Sequence, residues 1–512
     1  MVLRMLQLPQ ALLAPSAYTH ATDQIELIET HMSWLFLTGD YVYKVKKTVQ
    51  FSFVDFSTLA RRKFYCDEEI RLNRRFAADS YLQVLPVIIA ADGELKLGTS
   101  QDKALAVEWA VQMVQFKQEL QADRLLDNNL LQTAELVRFG QDLATQHRQL
   151  PEVTCEYSAA TPMLDNFASL ADSPSTEPFA NELAELLAYL HSELKKFNDL
   201  LQARQRQGYV RECHGDLHLS NMVRTEDGLC AFDCLEFDAD LRNIDVLCDA
   251  AFLVMDCLTR ERPDLAYAFI DGYLEISGDY AGLQILPLFT AYRSMVRAKV
   301  AALRLGQAPT DDVAAAKLSR HIQWALAQQH KPTGKLFIMC GVSGTGKSYW
   351  AARLVQALGA IRIRSDVLRK ISHGLDPDAH TTSEVGEGLY SAATSDETYQ
   401  AMANVAEELL RRGECVIIDA ASLRAEQRQK LYSAAQAANA QCTVLHLQAD
   451  RKVLERRISQ RRRLNQDPSE ADARVLAWQL THQDEPSDAV PVITIDTTEL
   501  KLQQLLSAIN QG

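Results

Sequence analysis

Residues 341–348 read Gly341-Val342-Ser343-Gly344-Thr345-Gly346-Lys347-Ser348, and few backbones can use such a run. The glycines let peptide N–H groups wrap an anion, the lysine reaches terminal phosphates, and the serine offers an oxygen to Mg2+. Such a P-loop works between a strand and a helix. LFIMC just before it is apolar and β-rich, and YWAARLVQAL after it has helical spacing. The later runs AIRIRS, CVIIDA, CTVLHL and VITID alternate with helical stretches, which predicts an α/β domain with a parallel sheet.

The chain has 512 residues, more than one core supports, since cores stop growing at roughly 250–300 residues. The stretch AQQHKPTGK, with Pro332 and Gly334, is the best linker. Ahead of it, WLFLTGDYVYKVKK reads as a hairpin about Thr38-Gly39-Asp40. A helix follows in FSTLARRKFYCDEEIRLNRRFA, then strands at YLQVLPVII, ELKLG and ALAVEWAVQMV. Beyond about Gln118 the spacing turns helical, at 131–149, 178–206 and 246–276, interrupted by short strands VRECHGD and LCAFDCLEF. The expected division is a β-rich lobe at 1–115, a helical lobe at 116–326, a linker at 327–334 and the P-loop domain at 335–512.

A second set of phosphate-handling residues lies in the helical lobe. Residues 214–221 read HGDLHLSN, and Asp233 follows in AFDCLEFD. Asp216 is placed to take an acceptor proton, and Asn221 and Asp233 to bind metal. Upstream, Lys44 on the second hairpin strand is placed to pair with ATP phosphates and with a glutamate on the next helix, Glu68 or Glu69. Lys46 shares the strand face of Lys44, so the choice of lysine stays open. Asp249 is a candidate brace for the catalytic loop, and Glu236 and Asp238 are candidate metal helpers. His214 and His218 have no Cys or His at zinc-ligand spacing around them.

The P-loop half carries its own accessory residues. Asp366, after the strand AIRIRS, stands where a carboxylate can take a proton from an acceptor hydroxyl, or where it can cap a helix. Arg369 is placed to hold an acceptor anion, and Asp419 takes a Walker-B-like position near the metal bound by Ser348. Arg457 and Arg461, one helical turn apart in DRKVLERRISQRRRLN, suit a lid that stabilises a transferring phosphoryl group; a solvated charged helix reads the same way.

GVSGTGKS, RSDVLRK, VIIDA and LERRISQR resemble the small P-loop kinases that phosphorylate hydroxyls, such as gluconate-type kinases, the kinase half of phage polynucleotide kinase and the zeta-toxin group. HGDLHLSN and Phe232-Asp233 resemble the catalytic loop and metal aspartate of the aminoglycoside phosphotransferase family, within the protein-kinase-like fold. ETHMSWLFLTGDYVYKVKK and EEIRLNRRF resemble the N-lobe of a bacterial subfamily fused to a P-loop ATPase half. The resemblance implies an α+β bilobal kinase-like domain followed by an α/β P-loop domain. It also implies ATP and Mg2+ as cofactors and two phosphotransfer sites acting on small-molecule hydroxyls. One departure stands out: Glu29-Thr30-His31-Met32-Ser33 occupies the place of a GxGxxG loop. A regulatory role for that half is therefore the alternative.

A net charge of −14 argues against broad nucleic-acid binding. A nucleic-acid 5′ end or nucleotide sugar is thus the less favoured acceptor for the P-loop half, despite Arg369 and the basic stretch 451–463. Ten scattered cysteines without a Cys-x-x-Cys pair read as buried thiols. The N-terminal MVLRMLQLPQALLAPSA is broken by Gln7, Pro9 and Gln10, a poor signal peptide, and no segment is apolar enough to span a membrane. The expectation is a cytoplasmic chain, with its oligomeric state open.

Overall fold

The computed structural model describes residues 8–22, 24–51, 54–154, 158–329, 332–377, 392–464, 473–486 and 490–511. Packing divides the chain into two units. One comprises Met1–Leu131, Gln149–Pro162 and Asp199–Phe252; the other comprises Gln132–Arg148, Met163–Asn198 and Leu253–Gly512.

The first unit is built on a six-stranded antiparallel sheet in the order Glu26–Glu29, Ser33–Leu37, Tyr41–Lys46, Glu108–Val114, Tyr81–Ile89, Leu95–Leu97. The expected hairpin pairs Leu37 with Val42. Alternation along Tyr41–Lys46 sorts its side chains by face. Tyr43 and Val45 join a core with Phe36, Leu8 and Leu12, which leaves Lys44 and Lys46 on the opposite face. The helix Leu59–Asn73 begins at Thr58, whose side chain accepts from the Arg61 N–H at 3.2 Å. Its Cys66 and Ile70 pack with Tyr81, Trp109 and Val111 of the sheet. Arg62 anchors it further, with Nε 2.9 Å from both carboxylate oxygens of the buried Glu108. The same unit carries two short antiparallel pairs, the hairpin Met222–Thr225 with Gly228–Ala231 and the pair Val210–Glu212 with Asn243–Asp245.

The second unit contains a five-stranded parallel sheet in the order Ala360–Arg364, Cys415–Asp419, Lys335–Cys340, Gln441–Gln448, Val492–Asp496. The central strand Lys335–Cys340 is buried from Leu336 to Cys340, as expected for a strand covered on both faces. Helices of the sequence's helical stretch belong to this unit too, including Pro263–Ser277, Leu286–Gln307 and Asp312–Ala327. The fold class is therefore the expected one: an α+β kinase-like part followed by an α/β P-loop part.

Two local differences bear on the sites. Asp233 lies beyond the strand Gly228–Ala231, in a turn with φ of 61°. Its N–H donates to the Tyr81 hydroxyl at 3.0 Å instead of to a sheet neighbour. Asp366 lies in the first turn of the helix Ser365–Ser372, past the end of its strand. The described cysteines are free, and all are buried except the half-buried Cys230 and Cys415. Among the described residues no helix is long and apolar enough to cross a membrane.

Candidate active sites

In the first unit the face of Tyr41–Lys46 that carries the lysines meets the helix Leu59–Asn73. Glu69 is fully buried there and bridges both lysines: Lys44 Nζ lies 2.8 Å from Oε1 and Lys46 Nζ 2.7 Å from Oε2. Lys44 also donates to Asp233 Oδ1 at 2.7 Å, whereas Lys46 donates to Glu236. Lys44 thus connects to the Asp233 turn, and Lys46 is enclosed behind it. Burial works against the Lys44 ammonium, but Asp233 and Glu69 outweigh it and hold its pKa well above the usual lysine value. Burial would likewise raise Glu69, yet the two lysines bring it down to about 2. Glu68 points elsewhere, forming a two-pronged ion pair with Arg71 at 2.8 Å. One helical residue apart, the two glutamates face different directions, and the register selects Glu69.

The HGDLHLSN segment is held from beneath by Asp249. Its two carboxylate oxygens accept the N–H groups of His214 (3.1 Å) and Gly215 (2.9 Å). His214 Nδ1 accepts from the Asp216 N–H at 3.3 Å, so Nε2 carries the proton donated to Phe232 O at 3.0 Å. Burial lowers the His214 pKa, consistent with that neutral tautomer. Asn221 Nδ2 donates to Asp216 Oδ2 at 2.9 Å, and His218 Nε2 lies 3.3 Å from the same oxygen. The segment therefore brings Asp216 and Asn221 into contact, and the Phe232 N–H to Asn221 O bond (2.9 Å) ties them to the Asp233 turn. Glu236 pairs with Lys46, which sequence spacing did not signal. Asn73 is a further unforeseen support: its Oδ1 accepts from the Cys234 N–H at 2.8 Å. In the turn Glu29–Ser33, the Thr30 hydroxyl accepts from the N–H groups of Met32 (3.3 Å) and Ser33 (2.9 Å).

In the second unit the P-loop runs from the strand Lys335–Cys340 into the helix Lys347–Leu358. Two of its glycines are required sterically. A Cβ on Gly341 would stand 2.6 Å from Leu447 O, and one on Gly344 would stand 2.9 Å from Leu454 O at a φ of 87°. Lys347 Nζ donates to Val342 O at 3.0 Å, and Ser348 Oγ donates to Asp419 Oδ1 at 3.0 Å. A hydroxyl and a carboxylate at the foot of such a cradle are hard oxygen donors that fit Mg2+.

The accessory residues are placed less uniformly. Arg369 Nη1 lies 3.0 Å from Asp366 Oδ1, so the expected base and anion-holder pair with each other. Arg457 donates to Gly344 O (3.2 Å), Thr497 Oγ1 (3.0 Å) and Thr497 O (2.8 Å), which fastens its helix to the P-loop. Arg461 is on the same helix, and its side chain is outside the described residues. Gln479 enters unannounced by any motif: its Oε1 accepts the Ser343 N–H at 2.7 Å. Asp419 is also approached by Arg362, with Nη1 3.4 Å from Oδ2.

The family model described as the phosphotransferase enzyme family matches residues 41–286, and that of the AAA domain matches residues 336–486. An uncharacterized protein of Mycobacterium tuberculosis (strain ATCC 25618 / H37Rv) is 29% identical over 419 residues, covering 78% of this chain and 79% of its own. Among solved structures, a choline/ethanolamine kinase family protein from Mesorhizobium loti aligns at 13% identity and a TM-score of 0.40, covering 64% of this chain and 96% of its own. A gluconokinase from Sinorhizobium meliloti 1021 aligns at 22% identity and a TM-score of 0.24, covering 35% of this chain and 90% of its own. Residues 41–286 thus match the phosphotransferase enzyme family and residues 336–486 the AAA domain, two family matches in one chain.

Proposed function

We propose that the chain is an ATP- and Mg2+-dependent kinase with two active sites, each transferring a γ-phosphoryl group to a hydroxyl of a small-molecule acceptor. The observation that carries this reading is that each unit sets a lysine close to hard oxygen donors: Lys44 bonds Asp233, and Lys347 lies on the same loop as Ser348, which bonds Asp419. When bound, ATP supplies the phosphoryl group and Mg2+ neutralises charge on its oxygens.

In the first site Asp216 takes the acceptor proton, Asn221 and Asp233 hold metal, and Lys44, oriented by Glu69, holds phosphate. Lys46 keeps Glu69 in place. In the second, the backbone of Gly341–Ser348 wraps the phosphates, Lys347 reaches the terminal ones, and Ser348 with Asp419 holds metal. Asp366 is the candidate base there. The Asp366–Arg369 pair suits a neutral hydroxyl better than a strongly anionic nucleic-acid end, because the arginine charge is already matched. Arg457, which donates to Gly344 O, adds positive charge beside the loop, and Arg461 on the same helix is its candidate companion.

A panel of hydroxyl compounds incubated with γ-labelled ATP tests the reading. Transfer lost in part with Asp216→Ala and in part with Lys347→Ala is expected; transfer that neither variant diminishes would refute it. One observation favours a second reading for the first unit. The Glu29–Ser33 turn spends amides on Thr30, which leaves phosphate positioning to Lys44 and metal. ATP binding there without turnover, measured by calorimetry in Lys347→Ala, would make that unit a regulatory nucleotide site.

A further inference from the structure

Arg362 sits in the strand Ala360–Arg364, next to the strand that ends in Asp419, and its side chain is almost wholly buried. Its guanidinium is saturated from two directions. On one side Nε and Nη2 make a two-pronged contact with Asp271, at 2.9 and 2.8 Å, and Nη2 also donates to Glu275 Oε1 at 2.6 Å. On the other, Nη1 donates to Asp419 Oδ2 at 3.4 Å. Asp419 thus divides its oxygens, Oδ1 to Ser348 and Oδ2 to Arg362.

Asp271 and Glu275 are four residues apart on one face of the helix Pro263–Ser277. That helix lies inside the phosphotransferase family match, not in the AAA domain match. Glu275 Oε1 also takes Arg364 Nη1 at 2.6 Å, and its Oε2 accepts from Gln141 Nε2 at 2.7 Å. The helix ends at Gly278, where a Cβ would collide with Ile371 at 1.8 Å. Ile371 belongs to the helix Ser365–Ser372 that carries Asp366 and Arg369. Without that helix, Arg362 would face Asp419 alone, and Arg364 would face Asp419 with Asp366 as its further carboxylate. Such a cluster repels a divalent cation and misdirects its ligand. With Asp271 and Glu275 in place, the arginines are neutralised and Asp419 keeps its charge for the metal.

We propose that Arg362 is a positioning residue for Asp419 and that the helix Pro263–Ser277, through Asp271 and Glu275, sets the metal affinity of the P-loop site. A helix from the phosphotransferase half is then an integral part of the second active centre. The proposal rests on the reading that Ser348 and Asp419 hold the metal.

The test is Mn2+ uptake in the presence of ADP, followed by electron paramagnetic resonance on the full chain. An Asp233→Asn background silences the other site. Glu275→Gln deletes a negative charge that is not a metal ligand and is expected to weaken Mn2+ binding about tenfold. Arg364→Gln deletes a positive charge beside Asp419 and is expected to tighten it. Glu275→Asp restores the charge and is expected to recover much of the affinity. Opposite signs cannot come from loosened packing, which would weaken binding in both variants. Arg364→Gln alone decides by its sign if Glu275→Gln does not fold, and recovery in Glu275→Asp but not in Glu275→Gln decides if Arg364→Gln does not. Unchanged affinity, or weakening in Arg364→Gln, overturns the proposal. A background protein with no Mn2+ site that Ser348→Ala removes overturns the metal reading of the P-loop as well, so the two failures are distinguishable.

Discussion

Replacing Glu69 with Gln removes one buried negative charge from between two buried ammonium groups while keeping nearly the same shape. Burial pushes the carboxyl pKa up, but Lys44 and Lys46 outweigh it and lower it from the ordinary 4.5 to about 2, which corresponds to about 3 kcal/mol of native-state stability. That agrees with the ~3–5 kcal/mol lost when a buried ion pair is broken from one side. The sign follows from the depressed pKa. The contribution is fully present above about pH 4.5 and is lost as pH falls towards 2. Scanning calorimetry of both proteins reads it: the transition of the first unit is expected to drop by roughly 6–12 °C near neutral pH. The gap is expected to narrow below pH 4.5. A gap worth less than about 1 kcal/mol, or one that stays constant into acid, would refute the claim that Glu69 is the shared counter-ion of both lysines.

Gly344→Ala places a Cβ 2.9 Å from Leu454 O at a left-handed φ; a loss of about 1–3 kcal/mol is expected, with ATP binding to the P-loop lost in calorimetric titration. Asp249→Asn removes one of the two acceptors beneath His214 and Gly215; steady-state kinetics should show kcat of the Asp216-dependent reaction falling on the order of 100-fold, with little change in KM for ATP. His321, whose pKa burial lowers from 6.5 to about 4, is neutral in the native state. Stability therefore falls as pH drops from 6.5 towards 4, by up to about 3 kcal/mol, and thermal melts of His321→Gln should lack that slope.

The P-loop is legible because phosphate binding by a backbone needs its residues contiguous, and the strand and helix around it follow from the same spacing. HGDLHLSN is legible for a similar reason, with Asp216 and Asn221 on one short segment. Lys44 and Lys46 share a strand face, so alternation alone cannot rank them; both pair with Glu69, and what differs is the second partner, Asp233 for Lys44 and Glu236 for Lys46. The Glu68 or Glu69 ambiguity is settled by helix register against the sheet. Asp233 escapes its expected strand because the Tyr81 hydroxyl, far off in sequence, takes its N–H. Least legible is the Arg362 cluster. Asp271 lies 91 residues before Arg362 and on the far side of a Pro/Gly stretch that reads as a domain boundary. Helical periodicity marks Pro263–Ser277 as amphipathic but carries no sign of which sheet its acidic face will meet.

Two transfer centres on one chain is the central claim, and the most direct measurement compares four proteins: the parent, Asp216→Ala, Lys347→Ala and the double variant. Each is given γ-labelled ATP and the same acceptors, and the labelled products are separated. The account predicts that each single variant loses one product and keeps the other, and that the double variant makes neither. A product surviving in the double variant, or both products vanishing together with one substitution in a protein that still folds and binds nucleotide, would contradict it.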